Sequence, residues 1–219
     1  MRVLLFKPQA KFSELNKEKM TTDHFSFHLK QLLASKLVKK TEEGKYELTT
    51  KGKEFANRFD TEKVVLERQA KIAVLIGGIK TENGEEKFLI QQRLKQPYWG
   101  FYGFVTGKIT WGETVFETAK RELNEETNLE GKLTLVAIKH KMDYSKRKKL
   151  LEDKYFFVFK ATSLKGKQTK KFEGGKNIWL TKKEILKIPN LFDGVEETIK
   201  MITQKNLLFS ETKYTVSSY

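Results

Sequence analysis

Apolar side chains recur at helical spacing in residues 21–35. Phe25, Leu29, Leu32 and Leu33 stand at positions i, i+4, i+7 and i+8, which places them on one face of a helix. The elements predicted around it are a helix over residues 11–18, strands over 36–40 and 45–49, and a helix over 50–59. The pattern therefore predicts a small unit in which helices precede and follow a β-hairpin.

Strand patterns dominate from residue 70 onward. Residues 71–80 form an apolar run of strand length, and an Asn-Gly turn within residues 82–85 leads to a return strand over 87–93. Further strands are predicted over residues 132–142, 153–162 and 177–180, and helices over 114–127 and from residues 182 and 194. The last two helices follow capping-box spacings, Thr181 with Glu184 and Asp193 with Glu196. The fold class expected for the whole chain is α+β.

The pattern divides the chain into a domain of residues 1–62, a domain of residues 70–205 and a C-terminal tail of residues 206–219. Residues 61–70 contain neither glycine nor proline, so a short helical or extended connection is expected rather than a flexible linker. The tail is polar with scattered aromatic residues, and we expect it to be disordered or to pack on a partner.

The composition excludes several classes of protein. The chain has 219 residues, 38% of them hydrophobic, and no cysteine, so neither a disulfide framework nor a thiolate zinc site is available. The longest apolar run, residues 72–79, is far shorter than a membrane span. A soluble protein of the cytoplasm that does not associate with a membrane is expected.

The formal net charge is +15, which raises the question of a nucleic-acid partner. Only six of the 43 basic residues are arginine, and the excess is spread over both predicted domains. Lysine-rich surfaces favour solubility, whereas forked contacts to phosphates and bases favour arginine. The charge alone is therefore weak support for nucleic-acid binding.

Three carboxylates share one face of the predicted helix over residues 114–127. Glu122, Glu125 and Glu126 stand at i, i+3 and i+4, where like charges repel by roughly 0.2–0.5 kcal/mol per pair. The arrangement is favourable if a hard divalent cation neutralises them, and oxygen ligands suit Mg²⁺ or Mn²⁺. Arg121 can orient a carboxylate of this group. Gly107 allows the preceding loop to bring its backbone close to the metal.

Residues 107–129, which read GKITWGETVFETAKRELNEETNL, resemble the Nudix box of the Nudix hydrolase family. The family pattern is G-x5-E-x7-R-E-U-x-E-E-x-G-U, where U is aliphatic. Asn128 stands where the family has glycine. Asparagine is the next-best residue for a left-handed helix end, so this departure threatens the chemistry little.

The resemblance implies an α/β/α sandwich with a mixed sheet for residues 70–205. It further implies a hydrolase that splits a nucleoside diphosphate linked to another moiety, X. Glu122, Glu125, Glu126 and the Gly107 carbonyl would hold the metal. Glu113 would pair with Arg121 or approach a second metal. The general base would be Glu122 or a loop carboxylate, for which Glu173 is the leading candidate, ahead of Glu152 and Asp153.

The N-terminal pattern HLKQLLASKLVKK…GKYELTTKGKEF resembles bacterial winged helix-turn-helix domains, above all in the stretch from Tyr46 to Gly52. The resemblance implies that the helix over residues 21–35 enters a DNA groove. The DNA-binding candidates on this helix are Thr22, His24, Ser26 and Lys30. Docking to another protein or to the partner domain has equal weight, because the face carries Asp23 and no arginine. His24 and His28 have a metal-compatible spacing without a third ligand.

The candidate substrate-binding residues are Trp99, Phe101, Lys108 and Lys141. The aromatic residues just before the box can stack a nucleobase, although most such clusters belong to the core. Residues 139–149 carry six basic residues on an expected loop, which suits phosphate binding or plain solvation.

Two functions remain open at this stage. The first is a Mg²⁺- or Mn²⁺-dependent Nudix pyrophosphohydrolase that takes a nucleotide-type small molecule. The second is a transcriptional regulator whose Nudix domain senses a nucleotide metabolite and whose winged helix binds DNA. The intact set of charged residues in the box favours the enzyme. A homodimer is also left open, since Nudix proteins often dimerise.

Overall fold

A computed structural model describes residues 1–16, 20–60, 65–66 and 68–216. The chain forms two compact units, residues 1–68 and residues 69–219. The ends of the predicted helix over 11–18 and of the tail lie partly outside the described residues, as does half of the connection over 61–70. None of the helices in the described ranges is long and apolar enough to cross a membrane.

Within the part of it that the structure describes, the first unit contains four helices and two antiparallel pairs of strands. Its elements are α1 (Arg2–Phe6), α2 (Phe12–Leu15), α3 (Thr22–Ala34), β1 (Val38–Lys40), β2 (Tyr46–Leu48), α4 (Thr50–Ala56), β3 (Phe59–Asp60) and β4 (Val65–Leu66). The apolar face of α3 packs on a core that contains Leu4, Leu29, Val38 and Tyr46. The Thr49 side chain caps α4 by accepting a hydrogen bond from the Gly52 amide at 2.9 Å. Helix α1 was not predicted.

The second unit is built on one large mixed sheet. Its elements are β5 (Lys71–Glu82), β6 (Glu85–Arg93), β7 (Tyr102–Gly103), β8 (Val105–Lys108), α5 (Val115–Thr127), β9 (Glu130–Tyr144), β10 (Leu150–Lys165), β11 (Lys171–Phe172), β12 (Gly175–Thr181), α6 (Lys182–Ile185), α7 (Val195–Thr203) and β13 (Leu208–Thr215). The strand order is β11-β12-β6-β5-β10-β9-β13, with β7 on β6 and β8 on β5. Strands β5 and β10 are parallel, as are β9 and β13, and the other neighbours are antiparallel.

The two faces of the sheet carry separate apolar layers. Along β5, Ala73 and Leu75 pack with α7, whereas Val74 and Ile76 pack with α5, as the two-residue period of a strand requires. Both layers are fully buried at their centres. The sheet is therefore covered by helices on both faces, which confirms the predicted α+β class with a mixed sheet.

Three expectations for the second unit were wrong. Residues 208–215 are not a disordered tail, because they form β13 and pair in parallel with β9. Helix α7 begins after Gly194 (φ 81°) with no side-chain cap, so Asp193 and Glu196 form no capping box. Residues 139–144 belong to β9, which leaves only 145–149 as the basic loop. The capping box of Thr181 with Glu184 is confirmed.

His140 links β9 to both of its neighbours. Its Nε2 lies 2.7 Å from Asp153 Oδ1 and its Nδ1 lies 2.8 Å from Glu211 Oε1, while its ring stacks on Tyr155 at 3.9 Å. Burial opposes protonation of the ring, but the hydrogen bonds to Glu211 and Asp153 outweigh it and raise the pKa of His140 above its ordinary value. The folded chain therefore favours the imidazolium.

The raised pKa predicts that His140 stabilises the fold more at low pH than at high pH. Its contribution is fully present below the unfolded pKa of about 6.5 and is lost as the pH rises through the folded pKa. Urea unfolding of the wild type and of His140→Gln, at about pH 6 and about pH 9, measures the contribution of His140 to the free energy of unfolding. The stability difference between the two proteins should shrink at the higher pH. A difference that is constant across this range would contradict the assignment.

Candidate active site

Helix α5 begins at a side-chain cap and ends at a residue in the left-handed conformation. At its start, Thr114 and Glu117 form a capping box, in which the Thr114 hydroxyl accepts from the Glu117 amide and the Glu117 carboxylate accepts from the Thr114 amide. At its end, Asn128 adopts the left-handed conformation with φ 55°, as predicted for the position that replaces glycine. The carboxylates between these ends are therefore presented on a rigid element.

Gly107 lies directly against the carboxylate of Glu122. Strand β8 pairs Gly107 with Val74 of the central strand β5, which brings the backbone of residue 107 under α5. A Cβ atom at position 107 would lie 1.9 Å from Glu122 Cδ and 2.2 Å from its Oε1. Only glycine fits here without moving the carboxylate. This close approach places a main-chain segment and a carboxylate side by side.

Arg121 organises three of the glutamates. Its Nε and Nη2 atoms donate to the two oxygens of Glu113 at 2.7 and 2.9 Å, and its Nη1 donates to Glu122 at 2.8 Å and to Glu125 at 3.0 Å. The hydrogen bond from Arg121 is the main cause that lowers the pKa of Glu113 to about 2, and the same contacts raise the pKa of Arg121. Glu113 is therefore an anchor for Arg121.

Glu126 lies on the other side of this group and has different partners. Its carboxylate accepts a hydrogen bond from Gln91 Nε2 at 3.0 Å. The Gln91 amide also donates to Asn177 Oδ1 at 3.2 Å, while Asn177 Nδ2 donates to the Glu126 carbonyl at 2.7 Å. Burial raises the pKa of Glu126, against the opposing hydrogen bond from Gln91, and the charge of Glu122 adds to the rise. A nearby cation would relieve this unfavourable charge.

In this structure the three carboxylates that are expected to hold the metal point to different partners. No set of three or more His, Asp or Glu side chains gathers in a metal-binding arrangement within the described ranges. Arg121 attracts Glu122 and Glu125, whereas Gln91 attracts Glu126. The donor set still suits Mg²⁺ or Mn²⁺, because the three carboxylates belong to one face of α5 and Glu122 lies against the Gly107 backbone. The residues present therefore fit a hard divalent cation.

Comparison with known families identifies this arrangement. The model of the NUDIX domain matches residues 71–203, which is more than half of the chain. The chain belongs to the NUDIX family. As a Nudix hydrolase it acts on pyrophosphate bonds. No curated protein matches the sequence.

Two solved structures illustrate the likeness of this Nudix protein to others. The MutT protein from Bacillus halodurans is 25% identical, with a TM-score of 0.56, and the match covers 68% of this chain and 93% of that one. The NUDIX domain of NrtR from Shewanella oneidensis, solved with ADP ribose, is 18% identical, with a TM-score of 0.53, and the match covers 70% and 97%. The second likeness is one of fold alone.

The other predicted residues of the Nudix unit lie at varied distances from this centre. Trp99 is 60% exposed on the loop between β6 and β7, and Phe101 packs on Tyr98 at 5.5 Å between ring centroids. Lys108 follows Gly107 and is exposed, and its carbonyl accepts from Arg121 at 3.4 Å. Glu173 is exposed in the turn between β11 and β12. Of these four residues, Lys108 is directly linked to the box, through its carbonyl and Arg121.

Lys141 does not belong to a loop, contrary to expectation. It lies within β9, its side chain is 12% exposed, and it pairs with Asp143. Asp143 and Glu152 are themselves only 4% exposed, and Lys71 pairs with Glu152 at 2.8 Å. The sequence predicts Lys141 as a substrate contact and Glu152 as a candidate base. It does not reveal these ion pairs, because a partner such as Lys71 lies far from Glu152 along the chain.

The four candidate DNA contacts lie on α3 of the first unit. Thr22, His24 and Lys30 are exposed and Ser26 is half-buried. The Nε2 atoms of His24 and His28 lie 3.0 Å apart, so the two rings hydrogen-bond each other. The structure tests no DNA contact, and the winged-helix interpretation remains a prediction.

Sequence reasoning missed Gln91 and Asn177, which hold Glu126. Both are polar residues in strands, and Asn177 is 6% exposed. A buried amide in a strand needs hydrogen-bond partners, so Asn177 carried a weak signal of its role. Neither partner is near the box in the sequence, which is why local spacing did not reveal them.

The contact between Gly107 and Glu122 predicts the outcome of Gly107→Ala. The added methyl group displaces the Glu122 carboxylate, so we expect kcat to fall by at least about tenfold while the fold persists, in line with losses from displaced metal-site groups. Steady-state kinetics and circular dichroism measure the two effects. Gly84→Ala is the control, because a Cβ at position 84 meets open space. Gly84 has a φ of 79°, so the stability of this variant is measured as well. Wild-type kcat in Gly107→Ala would contradict the proposed role of this contact.

Proposed function

We propose that this protein is a Mg²⁺- or Mn²⁺-dependent pyrophosphohydrolase that cleaves a nucleoside diphosphate linked to another moiety. The observation that supports it most is the close approach of Glu122 to Gly107 beside the half-buried Glu126. Glu122, Glu125, Glu126 and the Gly107 carbonyl would hold the cation. A bound cation would supply positive charge for the phosphate oxygens and would acidify a water molecule.

Side chains on and around α5 hold the proposed metal ligands in position. Arg121 holds Glu122 and Glu125 in orientation, with Glu113 as its anchor. Gln91 and Asn177 hold Glu126. Glu122 is the proposed acceptor of the water proton, because its carboxylate is fixed at Gly107, whereas Glu173 stands exposed in a turn. Glu173→Gln should accordingly keep most of the wild-type rate, and a loss as large as that of Glu122→Gln would reverse this assignment.

The loop between β6 and β7 is the proposed contact for the nucleoside. Strand β7 pairs Gly103 with Gln91, so the loop begins and ends beside the residue that holds Glu126. Trp99 on this loop is exposed and available to stack a base. Stacking is worth about 1–3 kcal/mol per base.

Trp99→Ala should therefore raise KM for the nucleotide by roughly 5- to 150-fold with little change in kcat. The aromatic replacement Trp99→Phe should recover most of the affinity, because it keeps a stacking surface. An unchanged KM in Trp99→Ala would exclude this residue from nucleoside binding.

The experiment that tests the proposed function measures product release from a panel of compounds. The panel comprises nucleoside triphosphates, nucleotide sugars, ADP-ribose, NAD and dinucleoside polyphosphates, each with Mg²⁺, Mn²⁺ or EDTA. ADP-ribose is included because it is bound to the NrtR domain of similar fold. We expect turnover of one compound class that requires the cation and disappears in Glu125→Gln/Glu126→Gln. The matched control is Glu130→Gln, an exposed glutamate at the start of β9. Cation-independent turnover, or turnover that persists in the double variant, would contradict the proposal.

The sensing of a nucleotide by a DNA-binding regulator remains the second candidate. The observation that favours it is that the β1–β2 hairpin follows α3 in the first unit, as the wing follows the helix in a winged helix-turn-helix domain. Two of the hairpin lysines are paired with glutamates, Lys39 with Glu47 at 2.9 Å and Lys45 with Glu43 at 2.8 Å, which reduces the charge available to phosphates. The enzyme is therefore the better-supported proposal. Salt-resistant, sequence-specific DNA binding by the full chain would restore the regulator.

A further inference from the structure

The large sheet ends in strands of very different length at its two edges. At one edge lies β11, which has two residues. At the other lies β13, which has eight residues and pairs only with β9 among the described residues. Natural sheets often protect an edge by keeping its strand short, whereas a long edge strand presents a row of unpaired backbone groups. The β13 edge is therefore open to a further strand.

The outward backbone groups of β13 belong to its odd-numbered residues. The pairing with β9 runs without a register shift along the whole strand, and the Val216 amide donates to the Tyr144 carbonyl at 2.9 Å. In a parallel pair, residues that bond to the neighbouring strand alternate with residues whose amide and carbonyl groups point away. Even-numbered residues therefore bond to β9. The outward residues are Phe209, Glu211, Lys213 and Thr215.

The side chains of the outward residues carry one negative and one positive charge. Lys213 is exposed and forms no ion pair within the part of the chain that the structure describes. The Glu211 side chain is 52% exposed, and its contact with His140 uses only Oε1. A lysine on an edge strand discourages pairing in general. Pairing at this edge therefore requires a register that places a carboxylate opposite Lys213.

We propose that β13 pairs with β13 of a second copy of this chain, antiparallel about a two-fold axis at Thr212. In this register Glu211 of each copy lies opposite Lys213 of the other, so the dimer contains two such pairs. Opposite charges on directly opposed residues stabilise a pair of strands. A contact that uses the same surface on both copies closes with two chains.

Charge favours this register over the two adjacent ones. Because outward residues must face outward residues, odd-numbered positions face odd-numbered positions, and the axis lies at a residue rather than between two. An axis at Glu211 would place two carboxylates opposite each other. An axis at Lys213 would place two ammonium groups opposite each other. Both arrangements are destabilising, whereas the axis at Thr212 creates no like-charged pair.

The remaining pairs of this register are compatible as well. Phe209, which is 62% exposed, lies opposite Thr215 of the second copy, and aromatic side chains pair well with β-branched ones. Leu208 lies opposite Val216, which makes an apolar pair, and Thr212 lies opposite its own copy. The sequence of β13 is therefore complementary to itself in this register. The dimer would cover the exposed ring of Phe209 in part.

Disulfide cross-linking tests the register. The chain has no cysteine, so Thr212→Cys supplies one thiol per copy. Directly opposed residues that do not hydrogen-bond to each other have Cα atoms about 4.5 Å apart, within disulfide range. Thr215→Cys is the matched control, because this exposed residue lies opposite Phe209 and not opposite its own copy. With diamide as oxidant, we expect covalent dimers to form at least about tenfold faster in Thr212→Cys than in Thr215→Cys.

Sedimentation equilibrium of the full chain measures the affinity. We expect the wild type to dimerise with a Kd below about 100 µM. Lys213→Glu should weaken the dimer at least about fivefold, because it places like charges opposite each other twice. This variant keeps the contact between Glu211 and His140 within each copy. Lys183→Glu, the same change of charge at an exposed lysine of α6, is the control and should leave the affinity unchanged.

A mixture of two charge variants separates charge pairing from damage to the strand. Glu211→Lys alone opposes lysines, and Lys213→Glu alone opposes glutamates, whereas a mixed dimer pairs every carboxylate with an ammonium group. We expect the mixture to dimerise more tightly than either variant alone, with circular dichroism establishing that each is folded.

Four results would overturn the proposal. The first is a chain that stays monomeric up to about 500 µM, which would leave the β13 edge for a strand of another protein. The second is a dimer whose affinity is unchanged in Lys213→Glu. The third is equal cross-linking of Thr212→Cys and Thr215→Cys. The fourth is a mixture of folded charge variants that dimerises no better than its components.

Discussion

Glu126→Gln is expected to lower kcat by at least about 100-fold, more than the 10- to 100-fold losses typical when a neighbour of a metal ligand is changed. Glutamine keeps the shape of the side chain and one oxygen, but it removes the negative charge that a divalent cation requires. Glu126 is half-buried, and burial raises its pKa. At such a site, solvent compensates little for the loss of the charge. Steady-state hydrolysis of the compound identified in the panel, at saturating Mg²⁺, measures the effect.

The control for this prediction is chosen to separate chemistry from folding. Glu126→Gln should unfold at or above the wild-type temperature, because a buried charge with a raised pKa is replaced by a neutral group. Glu130→Gln, four residues along the chain and exposed, should keep the wild-type kcat. If Glu126→Gln retains wild-type turnover, Glu126 has no part in holding the cation.

Glu197→Gln is expected to lower the free energy of unfolding of the Nudix unit by about 3 kcal/mol. Lys139 is 2% exposed, and its ammonium bonds to Glu197 at 2.7 Å, to the Gly194 carbonyl at 2.9 Å and to Thr198 at 3.3 Å. Removing the carboxylate leaves a buried ammonium with neutral partners only. Burial lowers the pKa of Lys139, because the charged ammonium is less stable away from water.

Urea unfolding of the full chain, followed by circular dichroism, measures this loss. Glu196→Gln changes the neighbouring exposed glutamate, whose contacts with lysines are 3.8 and 3.9 Å long, and should be neutral within about 0.5 kcal/mol. The double replacement Lys139→Met/Glu197→Leu should regain part of the stability, because no charge remains unpaired. Equal stability of Glu197→Gln and Glu196→Gln would show that the buried pair contributes nothing.

Local patterns were sufficient for the elements that hold the site. The period of residues 114–127 and the capping chemistry of Asn128 predicted α5 and its end, because caps and helical faces depend on residues a few positions apart. The strands β5 and β6 were predicted from an apolar run and an Asn-Gly turn for the same reason. Glu113 was left with two alternatives, and its contact with Arg121 favours the pairing.

Distant contacts account for what the sequence did not reveal. The polar sequence of β13 predicted a tail. The strand forms because the backbone groups at the edge of β9 hydrogen-bond to it along its length. Lys139 was assigned to a basic loop, whereas its partners lie more than fifty residues further along the chain. Gln91 and Asn177 likewise meet Glu126 only through the fold. Pairwise contacts of this range leave no trace in local spacing.

Binding of Mn²⁺ to the full chain is the measurement that tests the central claim most directly. Electron paramagnetic resonance counts the free ion while the wild type, Glu122→Gln/Glu125→Gln/Glu126→Gln and Glu130→Gln are titrated. We expect the wild type and Glu130→Gln to bind Mn²⁺ with a Kd below about 1 mM. We expect at least tenfold weaker binding by the triple variant, in which the oxygen donors lack their charge. Equal binding by all three proteins would contradict the claim that the α5 carboxylates hold the catalytic cation.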